Sequence, residues 1–441
     1  MKTVKTIHQN LKKSISFIVD NKEQYVVNPE SDFTRKRKLP MENTIREILS
    51  MGGESLPKEM LKYSEINNIE ITSSAFNQQR SKILPSAFKD LFHKSNEIRV
   101  DTKKLKGYRV LAADGSEINC FRNPNSVNYS VNPQKPEGFN KVHLNALLDV
   151  LNKTFYDVHL QPHSEVDERA ALLTMIENNV FSEKTIIIAD RGYEGYNTFI
   201  RLMQKENIDF IIRVRQNTSA LKIVADLPMT EFDIEIEKEI TTTQTKEDKA
   251  HGRIFIQTHQ NKNRKYSSNT NNRKWEFKSP FRIKLRVVRF LLETGEYETI
   301  VTTLDKKDFS AKEIKEVYHM RWEIETSFRE LKYEEGLINL HSKKDEFIEQ
   351  EIYAALTMYN YCSRIASAIP LKKKKKTKYA YAINYSIAIS LCKSFFRKRK
   401  TNFEKLIATI SMHTVPIRPG RKDKRNITWK GFVGFTYRVA A

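Results

Sequence analysis

The chain has 441 residues, of which 39% are hydrophobic, enough to build sizeable cores in two to four structural units. Its 76 lysines and arginines against 54 aspartates and glutamates give a formal net charge of +22 at pH 7, which favours a polyanionic partner and is a poor match for an enzyme of small molecules. The three cysteines, Cys120, Cys362 and Cys392, have no C-x-x-C spacing, so they indicate neither a zinc site nor a disulfide framework.

Positive charge is concentrated in four runs, at residues 35–38, 372–376, 397–400 and 421–425. Any one of these runs is typical of a solvated or flexible surface segment. Four of them along so basic a chain favour nucleic acid as the partner.

Two segments bear on where the protein works. Residues 1–10 lack the apolar stretch of a signal peptide. Residues 379–396 are apolar but are interrupted by polar side chains, which favours a buried helix over a membrane span. With so few cysteines, these features predict a cytoplasmic protein that has no membrane partner.

Residues 1–95 predict a mostly helical region, with short amphipathic stretches at 43–49 and 57–63. Ser74 is a candidate N-cap for a helix through Ile83, and Pro85 either ends that helix or opens the next. We expect its exposed side to carry Gln78, Gln79, Arg80 and Lys82. Such a helix can contact DNA, although a plain packing helix fits the same pattern.

From about residue 105 the pattern changes to strands. Apolar runs predict strands at residues 108–113, 142–150, 154–160, 185–189 and 209–214, and segment 151–153 joins the second to the third as in a hairpin. Residues 165–179 and 196–205 predict helices. This order predicts an α/β fold in which helices pack on a mixed sheet.

Residues 217–300 predict a β-rich insertion, with strand-like runs at 232–240, 253–259, 281–292 and 297–304. A long helix and a basic, mostly helical region at 345–441 follow. The sequence therefore predicts three regions: a helical N-terminal DNA-binding region at 1–95, a core with its insertion at 105–340, and the C-terminal region.

Two aspartates follow apolar runs directly. Asp114 precedes Gly115-Ser116, and Asp190 precedes Arg191-Gly192-Tyr193. Strand ends in such folds often carry ligand-binding side chains, and glycine permits close approach of a backbone or ligand. Aspartate and glycine also begin ordinary turns, so neither site is decisive alone.

A third carboxylate lies on the predicted long helix, which begins after a capping box at Ser310 and Glu313. At about 100° per residue, the four side chains Tyr318, Arg321, Glu325 and Lys332 fall within an arc of roughly 60° beside an apolar stripe. An ordinary i, i+4 ion pair between Arg321 and Glu325 explains part of this pattern. A carboxylate flanked by two cations also suits a metal-and-phosphate site.

These residues resemble a known family. The spacing Tyr318-x2-Arg321-x3-Glu325-x6-Lys332 resembles the Y-R-E-K signature of the insertion-sequence-four-type bacterial transposases, which are DDE transposases. Asp190-Arg191-Gly192-Tyr193 is similar to the motif around that family's second aspartate. Residues 110–116 (VLAADGS) are similar to the strand and turn around the first. The resemblance covers about residues 105–340.

The resemblance implies a ribonuclease-H-like catalytic core with a β-rich insertion between the second aspartate and the glutamate. It implies that Asp114, Asp190 and Glu325 are catalytic and bind two Mg²⁺ or Mn²⁺ ions. It also implies that Tyr318, Arg321 and Lys332 contact DNA phosphate near the cut.

The same resemblance implies a partner and a setting. The partner is double-stranded DNA, as element ends and as target, and the protein is expected to act on DNA as a homodimer. The expected location is the bacterial cytoplasm, associated with the nucleoid when bound. The expected reaction is metal-dependent cleavage at the ends of a mobile element, followed by joining of those ends to target DNA.

Three alternatives share parts of this pattern. A resolvase-like nuclease would use the same metal chemistry without strand joining, a DNA-binding relic would no longer cut, and a metal-dependent phosphatase could also use strand-end aspartates. The Y-R-E-K helix weighs against the resolvase-like nuclease. The three acidic residues weigh against the relic, and the charge of +22 weighs against the phosphatase. We expect Trp322 to lie in the core rather than to stack on an unpaired base. His159 and His163, separated by Pro162, do not form a helical metal pair.

Overall fold

In the computed structural model, a ten-stranded mixed sheet runs through the chain and helices cover both of its faces. The structure describes residues 1–35, 37–97, 103–216, 221–256, 278–371, 379–398 and 401–418. Its strands are β1 (Arg109–Cys120), β2 (Tyr129–Asn132), β3 (Lys135–Asp149), β4 (Thr154–Pro162), β5 (Thr185–Ala189), β6 (Ile208–Val214), β7 (Phe232–Thr241), β8 (Ile254–Phe255), β9 (Phe281–Leu291), β10 (Tyr297–Thr302), β11 (Ala380–Ile383) and β12 (Thr414–Ile417). Its helices are α1 (Lys2–Asp20), α2 (Met41–Ser50), α3 (Leu56–Asn67), α4 (Ser73–Arg80), α5 (Pro85–Glu97), α6 (Glu168–Asn178), α7 (Tyr196–Met203), α8 (Lys222–Ala225), α9 (Lys246–Ala250), α10 (Ala311–His319), α11 (Trp322–Tyr333), α12 (Asp345–Ser367), α13 (Tyr385–Arg397) and α14 (Phe403–Met412).

The strand order of the main sheet is β2-β3-β1-β5-β6-β10-β9-β7-β8, with β4 beside β3. Strands β4, β3 and β1 are antiparallel neighbours, and β1, β5 and β6 are parallel neighbours. This succession of an antiparallel hairpin and parallel strands is the ribonuclease-H-like arrangement, so the predicted fold class is confirmed. The predicted hairpin is present as β3 and β4.

The predicted β-rich insertion is present, but its strands continue the main sheet. Strand β10 pairs with β6, β9 pairs with β10, and β7 pairs with β9. Of the strand predicted at residues 253–259, the structure describes only the short strand β8. Residues 257–277 lie outside the described part of the chain. The insertion therefore widens the main sheet.

The two faces of the sheet have separate cores, which follow from the alternation of side chains along each strand. Ile186 and Ile188 of β5 face a core formed with α10–α14 and the N-terminal helices, which we call the front face. Ile187 and Ala189 face a core formed with α6 and α7, the back face. All five residues of β5 are buried, as expected for a strand covered on both sides.

The N-terminal helices join the front core through a buried arginine. Helix α4 is capped by Thr72, not Ser74, and Pro85 opens α5. The prediction that Arg80 is exposed is wrong, because its side chain is 0% exposed. Its guanidinium donates to Gln350 Oε1 (2.7 Å), Glu351 Oε1 (2.8 Å) and the carbonyl of Phe347 (2.6 Å), all on α12.

The terminal regions thus share one core with the sheet, because α12 packs on α5, α1 and α2. The predicted borders of the three regions stay predictions. The predicted helix at 379–396 begins as strand β11, which pairs with β12, and becomes helical only in α13.

The basic runs 372–376 and 421–425 lie outside the described residues, and runs 35–38 and 397–400 are described only partly. Among the helices that the structure describes, none has both the length and the apolar character to cross a bilayer.

Candidate active site

The two aspartates lie side by side on neighbouring strands. The parallel register of β1 and β5 pairs Ala113 with Ala189, so Asp114 and Asp190 come next at the same level, on strands about 4.8 Å apart. The prediction that the first strand ends at Asp114 is wrong, since β1 continues to Cys120. Asp190 does follow the last residue of its strand.

Each aspartate is held by the backbone of its own turn. Asp114 Oδ1 accepts the N–H of Gly115 at 2.9 Å, and Asp190 Oδ1 accepts the N–H of Gly192 at 2.7 Å. The guanidinium of Arg169 on α6 donates to the carbonyl of Gly192 at 2.8 Å. The turn that carries Asp190 is therefore fixed to the helix on the back face.

The third carboxylate comes from a helix pair on the front face. The predicted capping box is present at Ser310 and Glu313, but the predicted single helix is wrong. It is divided into α10 and α11 at Met320 and Arg321. The N–H groups of both residues bond the carbonyls three positions earlier, Met320 at 3.1 Å and Arg321 at 3.0 Å. Such bonds tighten the helix into one 3₁₀-like turn.

Arg321 links the glutamate to the first aspartate. Its Nη2 lies 3.1 Å from Glu325 Oε1, and its Nη1 lies 3.6 Å from Asp114 Oδ2. The side chain is 9% exposed, and its Nε is buried without a hydrogen-bond partner among the described residues. The predicted i, i+4 ion pair between Arg321 and Glu325 is present, and the same guanidinium also contacts Asp114 on the sheet.

Burial and the neighbouring charges shift the pKa of Asp114. Burial raises the pKa of Asp114 to about 6; Asp190 and Glu168 add to the rise, whereas the N–H of Gly115 and Arg321 oppose it. Burial away from water and nearby negative charge both disfavour the ionised form of a carboxyl group, and so they raise its pKa. Such clusters are found preferentially at functional sites.

The other two residues of the predicted signature lie close by. Tyr318 is buried, and burial raises its pKa while Arg321 lowers it. Lys332 Nζ donates to Ser116 Oγ at 2.7 Å, two residues beyond Asp114 on the same strand. Burial lowers the pKa of Lys332. Tyr318 is linked to the site by its interaction with Arg321. Contact of Tyr318, Lys332 and Arg321 with DNA stays a prediction.

The prediction that Trp322 lies in the core is wrong. It is the first residue of α11 and is 56% exposed. Ile324, Phe328 and Leu331 provide the buried face of that helix instead. The guanidinium carbon of Arg321 lies 4.8 Å from the centroid of the Trp322 ring, so the indole lies at the surface beside the carboxylates.

Two further residues at this site were not predicted. Glu168 begins α6 on the back face, and its Oε1 lies 3.1 Å from His143 Nε2. A β-carbon placed on Gly115 would come within 2.5 Å of Glu168 Oε1, and one placed on Gly192 would come within 3.6 Å of Glu168 Oε2. Glu168 therefore lies beside both aspartate turns. In the sequence, the only related signal is the glycine that follows each aspartate. That glycine does not identify the side chain that fills the space left by its missing β-carbon.

Comparison with known proteins gives this geometry a context. The model of the transposase DDE domain family matches residues 105–361, which is more than half of the chain and includes every residue of the candidate site. The chain belongs to the transposase DDE domain family. It is a DNA transposase, an enzyme that cleaves DNA and transfers strands.

The comparison with curated proteins found no match. Among solved structures, this transposase is similar to a cryo-EM structure of the piggyBac transposase synaptic complex with hairpin DNA. The identity is 11%, the match covers 96% of this chain and 85% of that chain, and the TM-score is 0.47.

DDE transposase domains generally use divalent metal ions, and the donor set of this transposase fits such an ion in its chemistry. Carboxylate oxygens are the ligands that Mg²⁺ and Mn²⁺ prefer, and Asp114 and Asp190 present them at one level. Among the described residues, no three acidic, histidine or cysteine side chains are grouped closely enough to hold a metal ion. Glu325 is paired with Arg321 instead, so the third ligand would have to leave that pair.

Proposed function

We propose that this transposase is of the insertion-sequence-four type and that Asp114, Asp190 and Glu325 form its catalytic triad. The observation that carries the proposal is the register of β1 and β5, which sets the two aspartates side by side, together with the Arg321 contact that ties Glu325 to Asp114. Residues far apart in the chain would thereby act together on the front face of the sheet, where β5 ends.

The triad would hold two Mg²⁺ or Mn²⁺ ions. When bound, such ions activate water or a DNA 3′-hydroxyl and stabilise the leaving 3′-oxygen in an in-line displacement. The protein's own part is to hold three carboxylates on a rigid sheet and a packed helix. Asp114 and Asp190 are held by backbone N–H groups, so their oxygens need little reordering.

Cationic side chains next to the carboxylates would bind the DNA backbone. Arg321 is buried and Lys332 is half-buried, and a phosphate oxygen is a suitable partner for a guanidinium that has an unused N–H. Trp322, which is exposed next to Arg321, would be accessible for stacking on an unpaired base. Tyr318 supports Arg321 from the buried side.

The wider setting follows from the same proposal. The substrate would be double-stranded DNA, as element ends and as target, and two copies of the chain would act together on paired ends. We further propose that the enzyme works in the bacterial cytoplasm, where it would be associated with the nucleoid while bound to DNA.

The test is a strand-transfer assay with the DNA ends that flank the reading frame. Purified full-length protein is incubated with labelled end DNA and a target plasmid, in Mg²⁺, in Mn²⁺ or in EDTA. We expect metal-dependent cleavage at the end and a joined product. Cleavage without joining would identify a resolvase-like nuclease, and bound but uncut ends in both metals would identify a DNA-binding relic.

A further inference from the structure

A fourth acidic side chain reaches the candidate site from the opposite face of the sheet. Asp114 projects to the front face, where it meets Arg321, whereas Glu168 belongs to α6, which packs on the back face. The next position on β1 is Gly115, whose missing side chain would point to the back face. Glu168 and His143 occupy that space.

The contacts of Glu168 are those of a side chain held in place. Its Oε1 lies 3.1 Å from His143 Nε2, and His143 is only 7% exposed. The following residue, Arg169, bonds the carbonyl of Gly192 at 2.8 Å. The first turn of α6 is thus tied to β3 through His143 and to the Asp190 turn through Arg169.

The cationic side of the site gives an independent indication that it binds a ligand. The guanidinium of Arg321 is nine-tenths buried, lies 3.6 Å from Asp114, and leaves its Nε unpaired among the described residues. A buried donor without a partner is costly. Among the described residues no three acidic side chains are close enough to hold an ion as they stand, so the carboxylates would have to move together when a cation and the phosphate that it carries bind.

We propose that Glu168, positioned by His143, is a fourth carboxylate of the active site and helps Asp114 and Asp190 to bind a divalent cation. This proposal rests on the proposed function, because it assumes that the cation binds at the two aspartates. Glu168 would contribute an oxygen ligand or a hydrogen bond to a metal-bound water. His143 acts only through Glu168, as a positioning residue that orients the carboxylate.

The test measures metal binding without DNA and without turnover. Mn²⁺ is titrated into the full-length protein, and free Mn²⁺ is followed by electron paramagnetic resonance. Glu168→Gln should weaken Mn²⁺ binding by about tenfold or more, the size expected when a partner of a metal site is lost. The matched control is Glu165→Gln, which removes an exposed carboxylate three residues earlier and should leave the affinity within twofold of the parent.

Three further variants separate the explanations. Gly115→Ala adds a methyl group where Glu168 and His143 lie, so it should also weaken Mn²⁺ binding and offers a second test if Glu168→Gln folds poorly. His143→Leu should weaken binding, and His143→Gln, which keeps a donor, should restore most of it. Asp114→Asn should weaken Mn²⁺ binding whatever the role of Glu168.

The outcomes are distinct. Parent-like Mn²⁺ affinity in folded Glu168→Gln, with a loss in Asp114→Asn, would overturn the role of Glu168 and leave the proposed triad standing. Parent-like affinity in both variants would overturn the proposed metal site itself. A loss in Glu165→Gln equal to that in Glu168→Gln would reduce the effect to general electrostatics and also overturn the proposal.

Discussion

One guanidinium organises the carboxylates of this site. Arg321 lies within 3.1 Å of Glu325 and 3.6 Å of Asp114, so it offsets part of the repulsion among acidic groups that would otherwise face each other. The pKa of Asp114 is nevertheless raised to about 6, first by burial. Burial is the main cause of this rise, and Asp190 and Glu168 add to it although Arg321 opposes it.

Neutralising any one of the triad carboxylates should abolish DNA cleavage. Asp114→Asn, Asp190→Asn and Glu325→Gln each keep the shape of the side chain but remove a charged oxygen ligand. Binding to element ends, measured by gel shift, should stay largely intact, because phosphate contacts come from other residues.

The control for that series is Glu316→Gln on α10, an exposed glutamate on the same helix pair. It should cleave like the parent. If a purified triad variant cleaves at a near-normal rate, that residue does not belong to the catalytic site.

Stability of the metal-free protein should carry a pH signature of Asp114. Its pKa rises from 3.8 in the unfolded chain to about 6 in the fold, so the folded state holds the proton more tightly. Ionisation then lowers the free energy of unfolding as the pH rises from about 4 to about 6, by up to about 3 kcal/mol. The Asp114→Asn variant should not show this pH-dependent decrease in the free energy of unfolding.

Urea unfolding in EDTA at a series of pH values measures the effect. The stability of Asp114→Asn relative to the parent should increase between about pH 4 and pH 6 and then stay constant. Glu316→Gln should show no such trend. A difference between Asp114→Asn and the parent that does not change with pH would mean that Asp114 is not dehydrated as described.

The front face depends on how the N-terminal helices dock on α12. Arg80 ends α4 and is fully buried, with Glu351 Oε1 at 2.8 Å. Glu351 is also buried and accepts the backbone N–H of His341 at 2.9 Å. Breaking a buried ion pair by removing one partner leaves an uncompensated charge, which costs more than the pair contributes.

Arg80→Ala should therefore lower the free energy of unfolding by about 3–5 kcal/mol. Arg80→Lys should lose less, because it keeps the charge and gives up only the forked geometry. Urea unfolding measures both. Arg329→Ala, at an exposed position on α11, is the control and should change stability by less than about 0.5 kcal/mol. A small effect of Arg80→Ala would show that α4 does not anchor the N-terminal region.

Local patterns predicted the elements of this fold well, and contacts between elements poorly. The run at 185–189, the hairpin of β3 and β4, and the capping box of α10 depend on periodicity and turn chemistry within a few residues. The burial of Arg80 depends on α12, which lies some 270 positions away in the chain. No local pattern contains that information.

The candidate site shows the same division. The aspartates and the glutamate were predicted because each lies in a recognisable motif, whereas Glu168 lies in an ordinary helix start. Its role depends on the space beside Gly115 and Gly192. Trp322 was placed in the core because tryptophan is often buried, but three smaller apolar residues of α11 fill that face. Which of several neighbouring apolar side chains becomes buried depends on the three-dimensional packing and not on the local sequence.

The net charge of +22 carried by the chain predicts DNA binding that depends steeply on salt. Each phosphate neutralised by a lysine or arginine releases condensed counterions, so the logarithm of the affinity falls linearly with the logarithm of the salt concentration. Diffuse charge raises the affinity for any DNA. Residues at the active site should add to the slope only if they touch phosphate.

Arg321→Ala and Lys332→Ala should each weaken DNA binding and flatten the salt slope by about one unit, the value for one lost phosphate contact. The loss should be similar for element ends and for unrelated duplexes, because phosphate contacts carry no sequence information. Fluorescence anisotropy over a range of salt concentrations measures both slopes, with Lys312→Ala, an exposed lysine on α10, as the control. Arg321 also bonds Glu325, and Lys332 also bonds Ser116. If their variants bind with the parent's slope, these internal contacts are the whole role of the two cations, and the phosphates are held by the basic surface elsewhere.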